Sequence, residues 1–433
     1  MIKKLFSSQL RINMVSGTAT TVINTAMMII SIPMYLHFLG YEKYGVWLVL
    51  STVLGFAQLG DIGISPAIVK LVAEEHGRND IRGIQRYVAT ALAILCASGA
   101  VVLLGILILK PQIVALFKLS DENARMALWL LPYVGLLSVY VFIVQALNAV
   151  VSGLGRMDME SYIQSASRVV CVLVAGTLLY LGRGIAGLLI GNIASYLFIH
   201  AASLACIRSI IPIRLLQKDN LDAQRGKHLL RFGGAMFSTS TMNMLFDPFN
   251  KVLLSRYAGV AAIPVYDIAY RGSVQMRSVV AAGLRAMIPE ISRIGAEMTA
   301  QARQRISQIN RRAVKAIFLI GCPVNAALLL TLTPLLQFWL GQRFVAELPG
   351  AFRIMLLGMF LNLLGFPAYC TLLGLGMVRY VLTSQAILTA VNVLILLTAV
   401  FFGHGISVGM IAWSILGANI AATLYLTVPK RWS

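Results

Sequence analysis

The sequence predicts an all-α polytopic membrane protein. About twelve transmembrane helices form two six-helix lobes related by a pseudo-two-fold axis along the membrane normal. Three observations carry this. Hydrophobic residues make up 58% of the chain and charged residues 12%, with a mean hydropathy of +0.81, a balance foreign to soluble chains of 433 residues. Apolar runs of spanning length recur along the whole chain. Short motifs of the first half return in the second at a nearly constant offset.

The expected spans are 14–39, 44–70, 84–109, 127–152, 162–182, 185–207, 230–256, 262–288, 313–340, 351–376, 380–402 and 406–428. Each is long enough to cross a hydrocarbon core of about 30 Å, some with tilt. The first carries a polar stripe, Gly17, Thr21, Asn24 and Ser31, on one helix face. Its counterpart, span seven, carries Ser238, Thr239, Ser240, Thr241 and Asn243. Small polar groups in membranes either bond across helices or line a cavity, and both uses are open for Asn24 and Asn243. Span two holds Asp61 in LGDIGISPA, a carboxylate between Gly60 and Gly63 and ahead of Pro66. It is read as an ion-coupling or gating group, with burial near the cytoplasmic interface as the alternative. Pro33, Pro66, Pro248, Pro264, Pro289, Pro323 and Pro367 predict kinks or broken helix ends.

Charge sets the orientation. With the N-terminus in the cytoplasm, 24 of the 36 Lys and Arg fall inside, 8 outside and 4 within spans. The positive-inside rule then places both termini in the cytoplasm. The basic start, MIKKLFSSQLRIN, lacks a short apolar core with a cleavage site and leads into the first span. The lobes are expected at 1–212 and 229–433, joined by a cytoplasmic linker at 213–228. LGYEKYGVW at 39–47 resembles AGVAAIPVY at 258–266, an offset of 219, which also sets Asn24 against Asn243. GLG at 153–155 returns at 374–376, and YLGRGI at 180–185 resembles FFGHGI at 401–406, both at offset 221. Such self-similarity marks a duplicated unit. An even number of spans per half gives parallel repeats with a central cavity at their junction. Residues 301–315 read as a further basic surface helix, either plain topology signal or a site of attraction to anionic headgroups.

The stretch 245–293 is apolar enough for a bilayer yet holds Asp247, Lys251, Asp267, Arg271, Arg277 and Arg285. Ionisable groups at membrane depth normally face a protein interior or a wet cavity. At about 100° per residue, Asp267, Arg271, Arg277 and Arg285 fit an arc of about 120° on one helix. Asp247 and Lys251 stand at i and i+4 and can pair. The stretch therefore reads as the cationic wall of a cavity. The alternative is that the two Asp–cation pairs neutralise each other while the other arginines snorkel to the interfaces.

Catalytic chemistry is poorly provided for, and no enzyme activity is expected. The five histidines are scattered without HExxH, and the five cysteines lie singly, so neither a metal site nor a disulfide nor a cofactor is expected. Asp158 and Glu160 form an acidic pair in a short loop, and GLGRMD at 153–158 stops short of a nucleotide-binding GxGxxG. The formal charge of +20 sits on loops and spans rather than on a basic soluble domain, which argues against nucleic acid as a partner. Any pumping must draw on ion gradients, membrane potential or the substrate's own gradient.

YGVWLVLSTVLGFAQLGDIGISPAIVKLVAEE at 44–75, GLGRMD at 153–158 and VLLSRYAGVAAIPVYDIAY at 252–270 resemble signatures of bacterial polysaccharide exporters. These are the O-antigen flippases of the multidrug/oligosaccharidyl-lipid/polysaccharide exporter superfamily. The resemblance covers nearly the whole chain. It implies a V-shaped bundle in the bacterial inner membrane. It implies a substrate, undecaprenyl-diphosphate-linked oligosaccharide, flipped from the cytoplasmic to the periplasmic leaflet by alternating access. A polysaccharide polymerase and a chain-length regulator are candidate partners beside membrane lipids. Relatives carry a cationic lumen, matched by type here in Lys251, Arg271, Arg277 and Arg285, with Asp61, Asp247 and Asp267 as coupling or gating groups. One departure is plain: Met28 and Ile32 stand opposite Asp247 and Lys251, so the halves cannot contribute equally. A drug or cation antiporter of the same superfamily is the first alternative, but it would want a net acidic cavity. A membrane-embedded glycan polymerase or ligase is the second, but it would want a large external loop.

Overall fold

The computed structural model describes residues 2–61, 63–212, 221–285, 287–297, 299–403 and 405–428, without the side chains of 2–15, 18, 58 and 235–244. Among the described residues all regular structure is helical. Helix α1 (Ile2–Ala57) breaks at Gly40, so it supplies the first span and the start of the second. A 3₁₀ turn at Gln58–Asp61 leads to α2 (Ile64–Gly77). Then follow α3 (Ile81–Phe117), α4 (Asp121–Gly153), α5 (Met157–Tyr180), α6 (Gly184–Ile210), α7 (Ala223–Tyr257), α8 (Ala262–Leu284) and α9 (Met287–Gly295). The chain ends in α10 (Ala300–Leu340), α11 (Leu348–Gly374), α12 (Val378–Phe401) and α13 (Val408–Thr427). Ten of the twelve expected spans coincide with a single helix, while spans two and eight are each broken. Nine helices among the described residues are long and apolar enough to cross a membrane: α1, α3, α4, α5, α6, α10, α11, α12 and α13. Helices α7 and α8, which hold the charged residues, are not among them.

The repeat is written in the backbone. Gly40 and Gly259, Gly155 and Gly376, and Gly182 and Gly403 all take positive φ, at the offsets read from the sequence. A left-handed residue at each place favours glycine, which has no Cβ to clash. A further correspondence escaped the motif comparison. Both α2 and α9 restart after a break and carry proline at their third position, Pro66 and Pro289.

That restart corrects one expectation. Span eight was drawn as one helix from 262 to 288, with Arg285 on its cationic face. Helix α8 stops at Leu284 and α9 begins at Met287. Proline tolerates the first turn of a helix, but deeper in it the ring strikes the carbonyl four residues back, here that of Arg285. Arg285 therefore caps α8 from outside it. A second expectation also shifts. Residues 301–315 do not form a surface helix of their own but run unbroken into span nine as α10, whose 41 residues reach about 60 Å, twice a bilayer core.

The chain divides into two compact units, Met1–Thr241 and Met242–Ser433, with the division inside α7. Residues 213–220 of the expected linker lie outside the described residues. Beyond them, α7 is fixed to unit 1 by its first turns. Arg225 donates to the Gly83 carbonyl at 2.9 Å, stacks on Tyr87 and approaches Glu75 at 3.9 Å. A Cβ built on Gly63 would stand 2.2 Å from the Gly233 carbonyl oxygen, so the two backbones meet with no room for a side chain. The core of unit 1 is Ile64, Leu71, Leu95, Phe142, Val150 and Ile207, drawn from α2, α3, α4 and α6. In unit 2, α11 is the central element, packed against α8, α10 and α13. Its Gly272–Phe352 contact with α8 is as close as glycine allows.

Candidate functional site

Four charged residues of 245–293, Asp247, Lys251, Asp267 and Arg271, meet inside unit 2. Both intrahelical pairs form: Lys251 Nζ lies 2.8 Å from Asp247 Oδ2 on α7, and Arg271 Nε donates to Asp267 Oδ2 at 2.7 Å on α8. A third contact joins the helices, Lys251 Nζ to Asp267 Oδ1 at 3.0 Å. Lys251 and Asp267 are each 1% exposed. Burying an ammonium costs several kcal/mol unless opposite charge surrounds it, and here two carboxylates do. The network is closed at Lys251 and open at its ends: the Asp247 side chain is 32% exposed and that of Arg271 52%.

A neutral chain continues from Asp247 into the core. Tyr266 donates its hydroxyl to Asp247 Oδ1 at 3.0 Å, and Asn250 Nδ2 donates to that hydroxyl at 3.2 Å. Asn392 of α12 donates to Asn250 Oδ1 at 2.8 Å, and Ser414 of α13 donates to Asn392 Oδ1 at 2.9 Å. Asn250, Tyr266, Asn392 and Ser414 are all buried. The sequence reading missed all four. The available signal was a lone amide in an apolar run, Asn392 in LTAVNVLILL, and an amide between two charges, Asn250.

The expected cationic residues thus divide. Lys251 is enclosed by its carboxylates, so in this conformation it offers no face to an anion. The reason is that Asp267 meets it across the helix pair as well as Asp247 along the helix. Arg271 keeps one face exposed. Arg277, on α8 beyond the network, is mostly buried; its Nε has no partner among the described residues and its guanidinium lies 5.6 Å from the Phe366 ring. Arg285 stands exposed at the α8–α9 turn. Among the described residues neither Arg277 nor Arg285 has a carboxylate partner, so the surplus of positive charge rests on these two.

The remaining expected residues do not join this cluster. Asp61 lies in unit 1 and caps α2: Ser65 donates to Asp61 Oδ1 from its hydroxyl at 2.9 Å and from its backbone N–H at 3.2 Å. Asn24 lies on α1 with its carbonyl oxygen buried and without a partner among the described residues. The Asn243 side chain lies outside the described residues. Most hydroxyls near Asn24 are spent on their own helix, Thr21 on the Gly17 carbonyl and Ser31 on that of Met28. Thr20 bonds across to α5, at the Ser161 carbonyl and Ser165. The acidic pair near 158 is also engaged, Asp158 with Arg156 at 3.1 Å and Glu160 with Ser152. No group of His, Cys, Asp and Glu among the described residues could hold a metal ion.

Comparison with known proteins agrees with this architecture. A Shigella flexneri protein named "Putative O-antigen transporter" is 22% identical over 352 residues, covering 78% of each chain. Two solved structures share the fold. One is the lipid II flippase MurJ in an inward closed conformation, with TM-score 0.70, 16% identity and coverage of 98% of this chain and 86% of that one. The other is an inward-facing multidrug resistance MATE family transporter of the MOP superfamily, with TM-score 0.68, 17% identity and coverage of 94% and 92%. Residues 37–349 match the profile of polysaccharide biosynthesis proteins. With most of its length matched and a helical membrane fold shared with MOP-superfamily transporters, the chain is a member of the polysaccharide biosynthesis protein family.

Proposed function

We propose that the protein flips undecaprenyl-diphosphate-linked oligosaccharide from the cytoplasmic to the periplasmic leaflet of the bacterial inner membrane, with both termini cytoplasmic and the lobes alternating in access. The observation that carries this reading is the surplus of arginine in unit 2. Asp247 and Asp267 are matched by Lys251 and Arg271, while Arg277 and Arg285 have no carboxylate partner among the described residues. A membrane protein retains unpaired guanidinium groups only at a cost, and an anionic cargo removes that cost when it binds. A diphosphate fits: guanidinium binds phosphate oxygens bidentately and stays charged at every physiological pH. In this reading Arg271, Arg277 and Arg285 receive the diphosphate, and Lys251 becomes available when the network opens. Asp247 and Asp267 hold the cations when no cargo is present, Asp61 couples or gates, and Asn24 and Asn243 line the path. The descriptions of the Shigella flexneri relative and of MurJ support a lipid-linked glycan as cargo. A cation-selective drug antiporter would be served poorly by the same surplus.

The test is reconstitution. Proteoliposomes holding the purified protein and a fluorescent undecaprenyl-diphosphate glycan should transfer the lipid between leaflets. The double variant Arg271→Glu/Arg285→Glu should abolish transfer. If the variant transfers as fast as wild type, the cationic reading fails.

A further inference from the structure

Unit 2 has a second feature that the ionic network does not use. Helices α8 and α10 form the walls, and α11 the floor, of a groove of about 290 Å³. Val280, Ile317, Val324 and Met359 line it, and the polar side chains that reach it are few: Arg277, Asn325 and Ser273. Val280, Ile320 and Val324 at its margins are exposed, so the groove opens on the surface of the unit. Arg277 enters from the α8 wall with a buried, unpartnered Nε. The Asn325 amide is turned to its own helix, donating to the Gly321 carbonyl at 3.0 Å. An apolar slot with one permanently charged donor and no acid to neutralise it is complementary to an apolar chain that ends in an anion.

A groove of about 290 Å³ open on the surface of the unit admits a short length of one hydrocarbon chain with an oxyanion. Arg277 follows Arg271 by six residues on α8, a rise of about 9 Å and a rotation of about 120° around the helix, so the groove is a site beside the ionic network rather than part of it.

We propose that the α8–α10–α11 groove is a binding site for the phosphate-proximal end of a polyprenyl chain, with the Arg277 guanidinium on the phosphate. This rests on the transport reading above and deepens it. The charged head is read by Arg277 while the chain lies along an apolar wall, so the site selects for the lipid carrier independently of the sugar it bears.

The experiment uses the full-length protein in nanodiscs and two photoreactive probes. Undecaprenyl diphosphate and undecaprenol each carry a diazirine near the head end, and labelled peptides are mapped by mass spectrometry. The diphosphate probe should label peptides spanning 273–284 and 313–328. Gly283→Leu tests the space, because a Cβ at Gly283 meets nothing within 4 Å and so adds bulk to the groove without striking the core. It should cut labelling by both probes about tenfold. Arg277→Gln should weaken labelling by the diphosphate probe about tenfold and leave the uncharged probe unchanged, since only a charge-assisted contact is lost. The proposal is overturned if neither variant alters labelling. It is also overturned if phosphatidylglycerol competes as well as unlabelled undecaprenyl phosphate, which would make the groove an ordinary lipid contact. Leaflet transfer is measured on the same preparations. Transfer without groove labelling sinks this inference and leaves the transport reading standing. Groove labelling by a wild type that transfers no glycan does the reverse.

Discussion

Replacing Asp267 by Asn probes the centre of the ionic network at constant shape. The substitution removes one of the two carboxylates on Lys251, at 3.0 Å, and the carboxylate that accepts from Arg271, at 2.7 Å. Hydrogen bonds to charged groups contribute about 1.5–3 kcal/mol each. Breaking a buried pair outright costs about 3–5 kcal/mol because a charge is left uncompensated. Lys251 keeps Asp247 at 2.8 Å, so the full penalty is not reached. Arg271 has half its side chain in the open, so its loss is discounted for solvent screening. The expected destabilisation is about 2–3 kcal/mol, nearly all of it from Lys251. Lys251→Met removes the buried ammonium and returns most of that loss when combined with Asp267→Asn. The double variant should be more stable than the sum of the singles predicts, by about 1 kcal/mol or more. The assay is unfolding free energy in mixed micelles for wild type, the two singles and the double. Additive singles, with a coupling below about 0.5 kcal/mol, would show that Lys251 and Asp267 do not meet as described.

Other outcomes follow from single contacts. Gly63→Ala should reduce folded yield sharply, because φ is 72° there and the new Cβ would overlap the Gly233 carbonyl; size-exclusion recovery in detergent reads this. Asp61→Ala should cost about 1 kcal/mol through loss of the α2 cap, while Asp61→Asn, which can still accept from Ser65, should stay within about 0.5; thermal unfolding separates the two. Asn392→Leu should cost about 1–3 kcal/mol by orphaning Asn250 and Ser414, and Asn392→Asp should not restore it. At the start of α7 the backbone N–H groups of Arg225 and Gln224 hold the Asp222 carboxyl below its usual range. A depressed folded value stabilises above the unfolded pKa of about 3.9 and is lost as pH falls through the folded one. Protection of the first-turn amides of α7, measured as the ratio of intrinsic to observed hydrogen-exchange rate at each pH, should therefore fall only in acid.

The fold was legible because a bilayer demands long apolar helices: ten of the twelve runs coincide with a single helix to within two residues, and only spans two and eight are broken. The repeat was legible because left-handed glycines cannot drift: Gly40 and Gly259 hold the same φ region at the offset read from motifs alone. The site was half legible. Spacing by four named both intrahelical pairs, Asp247–Lys251 and Asp267–Arg271. It could not give the contact between Lys251 and Asp267, which depends on how α7 lies on α8, nor the Asn250–Asn392–Ser414 chain, which joins α7, α12 and α13. The break in span eight has a local cause: Arg285 still continues the α8 register, its N–H bonded to the Ala281 carbonyl, but the Pro289 ring four residues downstream leaves no place for the Arg285 carbonyl in a continuous helix.

Comparison of the two halves bears on why charges are kept in the second. At the offset of 219, Met28 and Ile32 stand where Asp247 and Lys251 do, and Leu48 and Thr52 where Asp267 and Arg271 do. Ile32, Leu48 and Thr52 are buried, and the Thr52 hydroxyl is satisfied by the Leu48 carbonyl at 2.7 Å. The same helix pair in the first half is therefore held by apolar side chains, with no ionic contact among the described residues at these positions. Replacing a buried ion pair by well-packed hydrophobic groups is often neutral or stabilising by about 1–4 kcal/mol. Stability alone therefore does not account for charges in the second half. On the transport reading proposed above, their use would lie in what apolar packing cannot do: release a cation to an incoming anion and take it back afterwards. This yields a last expectation. A variant of unit 2 carrying the first half's residues, Asp247→Met/Lys251→Ile/Asp267→Leu/Arg271→Thr, should fold at least as stably as wild type and fail to move a diphosphate-linked lipid between leaflets. Full transfer activity in that variant would make the network a relic of packing and return the search for the anion site to Arg277 and Arg285 alone.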